Sequence, residues 1–265
     1  SAMREQPPGP GSDAVRERVR RLVHRVAPDI EIAPPELGGL RLVVPRGYEG
    51  LYGEGYEPKV TAALRRLVQP GYVCADLGAN VGFFALLMAQ LAGHEGRVVA
   101  FEPREDMTGY LASNMGRADG RMRIEVRREA VTDGATDTID LYSGGRGSEM
   151  RSTIVRGFAE REAPTGRRVI SVPAVALDAC FGPGDRLDLV KMDIEGGEAV
   201  VPLGARRVMA EQRPVFVVEF HRDVGWPAIA HFADSGYRFE KFDGTRIETP
   251  ADPDAVPSYF VAVPS

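Results

Sequence analysis

A short apolar run that ends in an acid and a glycine-flanked turn constrains the fold of this chain more than any other segment. The run Tyr72–Asp76 is followed by Gly78 and Gly82, and an apolar helical pattern begins at Phe83. A near-continuous apolar run of this length is typical of a buried parallel strand. Glycines directly after the strand let backbone approach a ligand, and the next helix directs free N–H groups toward it. The segment therefore predicts a strand–turn–helix unit that binds a ligand at its turn.

A second acid lies at the end of the next predicted strand and indicates which ligand that is. Residues 97–101 form an apolar run that ends at Glu102, where a carboxylate can accept hydrogen bonds from both ribose hydroxyls of a nucleoside. A dinucleotide site would need Gly-x-Gly-x-x-Gly. Here Asp76 precedes the turn, where it would repel a pyrophosphate. S-adenosylmethionine has no phosphate and carries two positive groups, so the pattern favours it as the cofactor.

Size and charge narrow the class of protein further. The chain has 265 residues, 43% of them hydrophobic, which is enough for one large α/β domain. Its net charge of −5 provides no overall basic field, so we expect no nucleic-acid partner. No apolar run approaches the roughly 18 residues that a membrane span needs, so we expect no membrane association. No signal peptide is evident, and we expect a cytoplasmic protein.

The chain is predicted to divide into three parts. Residues 1–12 are expected to be a tag remnant followed by a disordered Pro/Gly-rich tail. Residues 13–70 are expected to form a cap of helix and strand elements, beginning with an amphipathic helix over 13–26 that is compatible with a homodimer face. Residues 71–265 are expected to form the S-adenosylmethionine-binding domain.

Strands alternate with helices along most of the sequence, which predicts an α/β fold with a mostly parallel sheet and helices on both faces. Strands are predicted at 40–45, 72–76, 97–101, 122–128, 138–143, 168–173, 187–192, 214–220, 237–242 and 258–263. Helices are predicted at 57–67, 83–92, 105–117, 198–210 and 226–235. The last two strands are expected to form an antiparallel hairpin at one edge of the sheet.

A cluster of acids follows the predicted strand 187–192. That strand ends at Asp193, with Glu195 and Glu198 close behind. Ligands of open α/β sheets bind outside the carboxyl ends of the strands, so Asp193 is expected in the same crevice as the two acids above. The two glutamates lie near a predicted helix start, where acids are also favoured as caps. For Glu198 both interpretations stay open.

The next strand end adds Glu219 and His221, which point to one face because side chains alternate along a strand. A histidine titrates near neutral pH and can act as a general base, although a surface histidine would look the same. Asp193, Glu219 and His221 could instead hold a divalent ion such as Mg²⁺. We favour hydrogen bonding by these acids without a metal.

Together these segments resemble one known family. The segments Tyr56–Pro58, Asp76–Gly82, Ala100–Pro103, Leu189–Glu198 and Val218–His221 are similar, in the same order, to those of the FkbM-type methyltransferases. The resemblance implies a class I methyltransferase (Rossmann-like) fold with S-adenosylmethionine as methyl donor. It most often implies O-methylation of a small molecule, a secondary metabolite or a sugar, with nitrogen as the acceptor in some members.

The resemblance also implies roles for individual residues. The cofactor-binding residues would be Asp76, Gly78, Asn80, Gly82, Glu102 and Pro103, with Glu57 and Asp193 facing the methionine end. Ser152, in the Ser/Thr-bearing stretch 147–153, would border the cofactor or the acceptor. Independently of the resemblance, the residues at the strand ends suggest His221 as the catalytic base, oriented by Glu219 or Glu195 and acting beside Asp193.

Two other classes of protein stay open at this point. An NAD-dependent oxidoreductase would use a similar sheet, although the turn lacks its glycine pattern. A non-catalytic nucleotide-binding module is also compatible, because a fold does not determine a function.

Overall fold

An eight-stranded sheet organises the described part of the chain. The computed structural model describes residues 29–118, 120, 122–143, 152–155, 160, 168–220, 229–248 and 258–265. The strands are β1 (Ile30–Ile32), β2 (Leu42–Val44), β3 (Val73–Leu77), β4 (Arg97–Phe101), β5 (Ile124–Arg127), β6 (Ala130–Thr132), β7 (Thr138–Ser143), β8 (Ser152–Thr153), β9 (Arg168–Ala176), β10 (Leu189–Met192), β11 (Val215–Glu219), β12 (Tyr237–Glu240), β13 (Arg246–Ile247) and β14 (Tyr259–Pro264). The α-helices are α1 (Pro58–Leu67), α2 (Phe83–Ala92), α3 (Glu105–Arg117) and α4 (Leu177–Cys180), and residues 229–234 are also helical.

The order of the strands in the large sheet is β13-β12-β14-β11-β10-β3-β4-β5. The five neighbours from β11 to β5 are parallel, whereas β14 runs antiparallel to both β11 and β12. The chain leaves β3 toward β4 and β5 on one side and later returns to β10 on the other. The carboxyl ends of β3, β4 and β10 therefore surround a topological switch point, where α/β sheets bind ligands. The predicted mostly parallel α/β architecture is confirmed.

Helices cover both faces of this sheet, as predicted. On one face, α1, α2 and α3 bury a core that contains Phe83, Phe84 and Leu111. Helix α2 is apolar almost throughout and is buried along most of its length, because it lies between the sheet and the N-terminal segment. On the other face, Phe216 and Phe232 are fully buried in a second core.

The two predicted C-terminal strands, β12 and β14, pair antiparallel as predicted, but a further short strand lies between them in the chain. The turn at Asp243–Gly244 leads from β12 into the short strand β13, which forms the outer edge. Strand β14 then inserts between β11 and β12.

A second sheet of four strands, in the order β6-β9-β7-β8, lies beside the large one. The sequence predicts β7 and most of β9 but not their association with β6 and β8. Those two strands have only three and two residues, which is too short for an alternating pattern to be recognised. This sheet brings Ala130, Leu141 and Ser152 to the rim of the switch point.

The predicted helix 198–210 is wrong. The chain instead forms two 3₁₀ turns, Gly197–Ala199 and Val201–Gly204, followed by a π turn at Val208–Gln212. Pro202 cannot donate a helical hydrogen bond. Gly204 packs so closely that an added Cβ would lie 2.2 Å from the Thr132 carbonyl oxygen. The apolar periodicity is present, but close packing against β6 excludes a regular helix.

The segment before β3 is tied to the large sheet by a buried amide. The Asn114 side chain, fully buried on α3, donates from Nδ2 to the carbonyls of Val43 (2.9 Å) and Val81 (2.7 Å). Its Oδ1 accepts the N–H of Val43 at 2.7 Å. The predicted segments 1–12 and 13–26 lie outside the described residues, and the proposed domain division stays a prediction. Among the described residues, none of the helices is long and apolar enough to cross a membrane.

Candidate active site

The switch point opens into a cleft of roughly 900 Å³, including its open mouth, which is the size of a small-molecule site. The carboxyl ends of β3, β4 and β10 form its floor, and the second sheet forms one wall. The sequence-predicted residues that line the cleft are Gly78, Asn80, Glu102, Pro103, Ser152, Asp193 and Glu195. The predicted residues Glu57, Asp76, Gly82 and Glu219 are described but do not line it. His221 lies outside the described residues, so its predicted role as a base stays a prediction.

Gly78 fits the turn after β3 for steric reasons. Its φ is +81°, and an added Cβ would lie 2.0 Å from the Asp193 carbonyl oxygen. The N–H groups of Gly78 and Ala79 both donate to the carbonyl of Phe101, at 3.0 and 2.9 Å. The turn is thus wedged between the ends of β4 and β10, where a side chain would displace backbone.

Gly82 serves a different purpose. It begins α2 at a φ of +98°, and an added Cβ would meet Leu111 and Met115 of α3 at 2.7 and 2.6 Å. Gly82 therefore permits close packing between two helices and contributes to the site by positioning the turn.

The Glu102 carboxylate on the cleft wall is held by two backbone hydrogen bonds. It is 6% exposed, and its carboxylate accepts the N–H of Asn80 at 3.0 Å and that of Arg104 at 2.9 Å. Burial raises the pKa of Glu102 to about 7, although these two N–H groups act in the opposite direction. The acid is fixed at the end of β4, as the sequence predicts.

Three residues around the cleft have an unusual backbone conformation. Glu57, Asn80 and Glu195 have φ values of +41°, +51° and +52°. Within the described ranges, Arg213 is the only other non-glycine residue with a positive φ. Left-handed backbone at such residues costs free energy and concentrates at functional sites. Here it turns the chain directly after β3, after β10 and before α1.

A buried lysine, which sequence reasoning missed, connects two of the predicted acids. Lys191 on β10 places its Nζ 3.5 Å from Asp76 Oδ1 and 3.4 Å from Asp193 Oδ2. Asp76 is fully buried and Lys191 is 3% exposed. Burial raises the pKa of Asp76, and the Lys191 ammonium partly opposes this effect. The available signal was a single lysine inside the otherwise apolar strand β10.

Carboxylate oxygens of Glu57, Asp193 and Glu219 lie within 4.8 Å of one another. The Tyr259 hydroxyl donates to Glu219 at 3.2 Å. The structure thus brings together two of the three predicted metal candidates and adds Glu57. These acids also lie near the Lys191 ammonium, whose pKa burial lowers and the surrounding carboxylates raise by a larger amount.

The remaining acid of the cluster is structural. Glu198 is fully buried, and its Oε1 accepts the N–H of Gly196 at 3.2 Å, which stabilises the turn after β10. This favours the capping interpretation for Glu198 over a place on the cleft wall.

Sequence reasoning also missed the aromatic and rim residues of the cleft. Tyr52 and Tyr56 pack with their ring centroids 4.6 Å apart and contact Phe83. On the opposite side, Glu129 follows β5 and lines the cleft beside Glu102. A search for acids after every predicted strand would have found Glu129. Tyr56 begins one of the segments that resemble the family, but its place in the cleft was not predicted, and no sequence signal indicates Tyr52.

The polar atoms of this cleft fit S-adenosylmethionine. The Asn80 Oδ1 and Ser152 Oγ atoms are buried and have no hydrogen-bond partner within the described ranges, as expected of groups that face a polar ligand. The Gly78 turn leaves room for close approach, and Glu102 offers a carboxylate where ribose hydroxyls would donate. That Asn80, Ser152 and Glu102 contact the cofactor through these atoms stays a prediction.

A parallel sheet with one inserted antiparallel strand, a glycine turn after its first parallel strand and an acid after the next define a class I methyltransferase, as predicted. A family model described as the methyltransferase FkbM domain matches residues 76–239. The chain therefore belongs to the FkbM methyltransferase family, and S-adenosylmethionine is its cofactor.

Individual relatives are distant. The chain is 26% identical over 209 residues to the AMB antimetabolite synthetase AmbE of Pseudomonas aeruginosa, which covers 65% of this chain but 9% of that protein. A structure of methyltransferase FkbM from Methylobacillus flagellatus is 17% identical with a TM-score of 0.46, covering 95% of this chain and 60% of that one. Aeropyrum pernix fibrillarin with natively bound S-adenosyl-L-methionine is 14% identical with a TM-score of 0.44, covering 85% and 90%.

Proposed function

We propose that this protein transfers the methyl group of S-adenosylmethionine to a hydroxyl of a small molecule, such as a secondary metabolite or a sugar. The observation that carries the proposal is the Glu102 carboxylate fixed to the turn after β3 at the head of the cleft. The match to an antimetabolite synthetase supports a natural-product acceptor. The net charge of −5 favours a small molecule over a nucleic acid.

The described residues divide the cleft into a nucleoside part and a methionine part. Glu102 would accept hydrogen bonds from the ribose hydroxyls, and Glu129, one strand further along, would lie toward the base. Asp193, with Glu57 nearby, would attract the α-ammonium group. These assignments follow the order of the strand ends along the sheet, β5, β4, β3 and β10.

Bound S-adenosylmethionine would supply an activated methyl group together with its leaving group. The chain itself would align the acceptor in line with that methyl group and exclude water. Tyr52, Tyr56 and Phe83 offer an apolar wall for this purpose.

A hydroxyl acceptor must lose its proton as it reacts, which requires a base. We assign this role to His221, two residues beyond the end of β11, with Glu219 or Glu195 orienting it. The test is single-turnover methyl transfer by His221→Ala material that melts like the wild type. Unchanged turnover would remove His221 from the mechanism.

A divalent metal at Glu57, Asp193 and Glu219 is the competing device, since oxygen ligands of this kind suit Mg²⁺. We favour the metal-free reaction because Lys191 already supplies a positive charge 3.4 Å from Asp193. Activity that survives exhaustive EDTA treatment would agree with this, whereas activity restored only by added Mg²⁺ would contradict it.

N-methylation is the second candidate. The three adjacent carboxylates would attract a cationic amine as readily as they would orient a hydroxyl. Incubating the protein with labelled S-adenosylmethionine and matched panels of hydroxyl- and amine-bearing small molecules would separate the two by which compounds become methylated.

Binding at this cleft is tested by calorimetry with S-adenosylmethionine and S-adenosylhomocysteine, with NADH as the comparison. Binding of the first two and not of NADH is expected. Absence of heat from both at millimolar concentration, with folded protein, would overturn the proposed function.

A further inference from the structure

We propose that Lys191 is a positioning residue, which holds the Asp193 carboxylate at the cleft by sharing its ammonium group between Asp193 and the buried Asp76. The inference rests on the proposed function, since it assigns Asp193 to the methionine end of the cofactor.

The location of Lys191 supports this role. Its side chain is 4% exposed and its Nζ lies between two carboxylates from different strand ends, 3.5 Å from Asp76 and 3.4 Å from Asp193. The same Nζ lies 4.9 Å from the centre of the Phe84 ring on α2. Contacts with a neighbouring strand, with its own strand end and with a helix leave the ammonium little freedom.

The two acids differ in how they relate to the cleft. Asp193 lines it, whereas Asp76 is fully buried and does not. Neutralising Asp76 alone would not require a lysine at the cleft wall. Lys191 nevertheless lines the cleft. The ammonium thus connects the buried Asp76 carboxylate to the partly buried Asp193 carboxylate at the cleft wall.

The negative charges around Asp193 also support a positioning role for Lys191. Glu57, Asp193 and Glu219 have carboxylate oxygens within 4.8 Å of one another, and like charges this close repel one another. Without a nearby cation, Asp193 would rotate away from its neighbours or recruit a counter-ion. Lys191 lets Asp193 keep one orientation while the cleft stays favourable for a positively charged ligand.

The experiment is a double-mutant cycle of wild type, Lys191→Met, Asp76→Asn and the Asp76→Asn/Lys191→Met double variant. Methionine keeps the length of the lysine stem but removes the charge. Melting temperature and the Kd of S-adenosylhomocysteine, from calorimetry, are measured for all four proteins.

We expect Lys191→Met alone to lower the melting temperature, because it leaves Asp76 buried without its cation. In the Asp76→Asn background the same change should no longer lower the melting temperature, yet it should still weaken S-adenosylhomocysteine binding about tenfold or more, as loss of a charge-assisted contact does. Should the single variant fail to fold, the comparison within the Asp76→Asn background decides alone.

If the loss of affinity disappears in the Asp76→Asn background, Lys191 serves only to neutralise Asp76 and the proposal is overturned. A Lys191→Arg variant, which keeps the charge, should bind more tightly than Lys191→Met; equal weakness of the two would also count against positioning by charge. Failure of the proposed function would give a different result, because the wild-type protein itself would then show no heat of binding with S-adenosylhomocysteine.

Discussion

The backbone N–H of Asn80 donates to the Glu102 carboxylate at 3.0 Å, so the acid that ends β4 and the turn that follows β3 form one hydrogen-bonded unit. The hydrogen bond is donated from a backbone position with a left-handed φ of +51°, a conformation that non-glycine residues rarely adopt. This unit is the part of the cleft on which cofactor binding should depend most.

Glu102→Gln should weaken S-adenosylhomocysteine binding about 10- to 100-fold, because the amide loses charge-assisted acceptance of the ribose hydroxyls. Calorimetry on folded protein measures this change. Glu105→Gln is the matched control: Glu105 has an 80% exposed side chain and pairs with Arg128 on the surface. Equal affinities of Glu102→Gln and wild type would place the ribose elsewhere.

The pH dependence of binding should follow the ionisation of Glu102. Its pKa of about 7 in the folded protein, against 4.5 as the ordinary value, means that the cleft carries a protonated carboxyl group in mildly acidic solution. Affinity for S-adenosylhomocysteine should therefore rise with pH until about pH 7 and level off above it. In Glu102→Gln the profile should lose this rise; a wild-type profile that is flat between pH 5.5 and 8, roughly the window of such a shifted group, would contradict it.

The raised pKa of Glu102 should also make the free energy of unfolding depend on pH. The folded carboxyl keeps its proton to about pH 7, whereas the unfolded one loses it near 4.5, so the folded state binds more protons between these values. Unfolding free energy should fall as pH rises through this window. Urea titrations of wild type and Glu102→Gln would show the difference: the variant should fall less over the same range.

Gly78→Ala should abolish cofactor binding and destabilise the fold. An added methyl group would lie 2.0 Å from the Asp193 carbonyl oxygen, at a φ of +81° that L-residues rarely adopt. Gly109→Ala is the control, because Gly109 lies in α3 with nothing within 4 Å of the added Cβ. That change should be neutral or stabilise by about 0.5–1 kcal/mol. Thermal melts with and without S-adenosylhomocysteine separate the two; a Gly78→Ala protein that binds normally would show that the turn can move.

Asn114→Ala should destabilise the protein by about 2–4 kcal/mol, because buried polar groups of Val43 and Val81 would lose their partner. Affinity for S-adenosylhomocysteine should also fall, since Val81 belongs to the turn after β3. Ser113→Ala, at an exposed neighbouring position of α3, is the control. Urea unfolding provides the measurement, and a loss below 1 kcal/mol would mean that water replaces the amide.

Much of the large sheet could be predicted from the sequence, because β3, β4 and β11 are mainly apolar runs and each is followed by a recognisable residue at its carboxyl end. Glu102 and Gly78 follow from that rule alone. The second sheet could not be predicted, since β6 and β8 are too short to show a period. The irregular segment after β10 shows helical periodicity. Pro202 could have been recognised as a helix breaker, whereas the close contact of Gly204 with Thr132 becomes evident only in the structure.

The sequence predicted which residues lie at the strand ends of the site, but not which of their side chains contact one another. The sequence predicts Asp76 and Asp193 at strand ends that share one crevice, and it cannot show that Asp76 is buried while Asp193 borders the cleft. Lys191 appears in the sequence only as an interruption of an apolar run. Its partners become evident once β3 and β10 are side by side, with Lys191 opposite Asp76 in the register of the two strands.

The position of β14 has a consequence for how the molecule is made. Strands β12 and β13 emerge from the ribosome before β14 does, yet they join the large sheet only through it. Until then β11 presents an unpaired edge to other nascent chains, a known route to aggregation. Carboxy-terminal truncations that remove Tyr259–Pro264 should therefore yield insoluble material even though every residue of the cleft is still encoded.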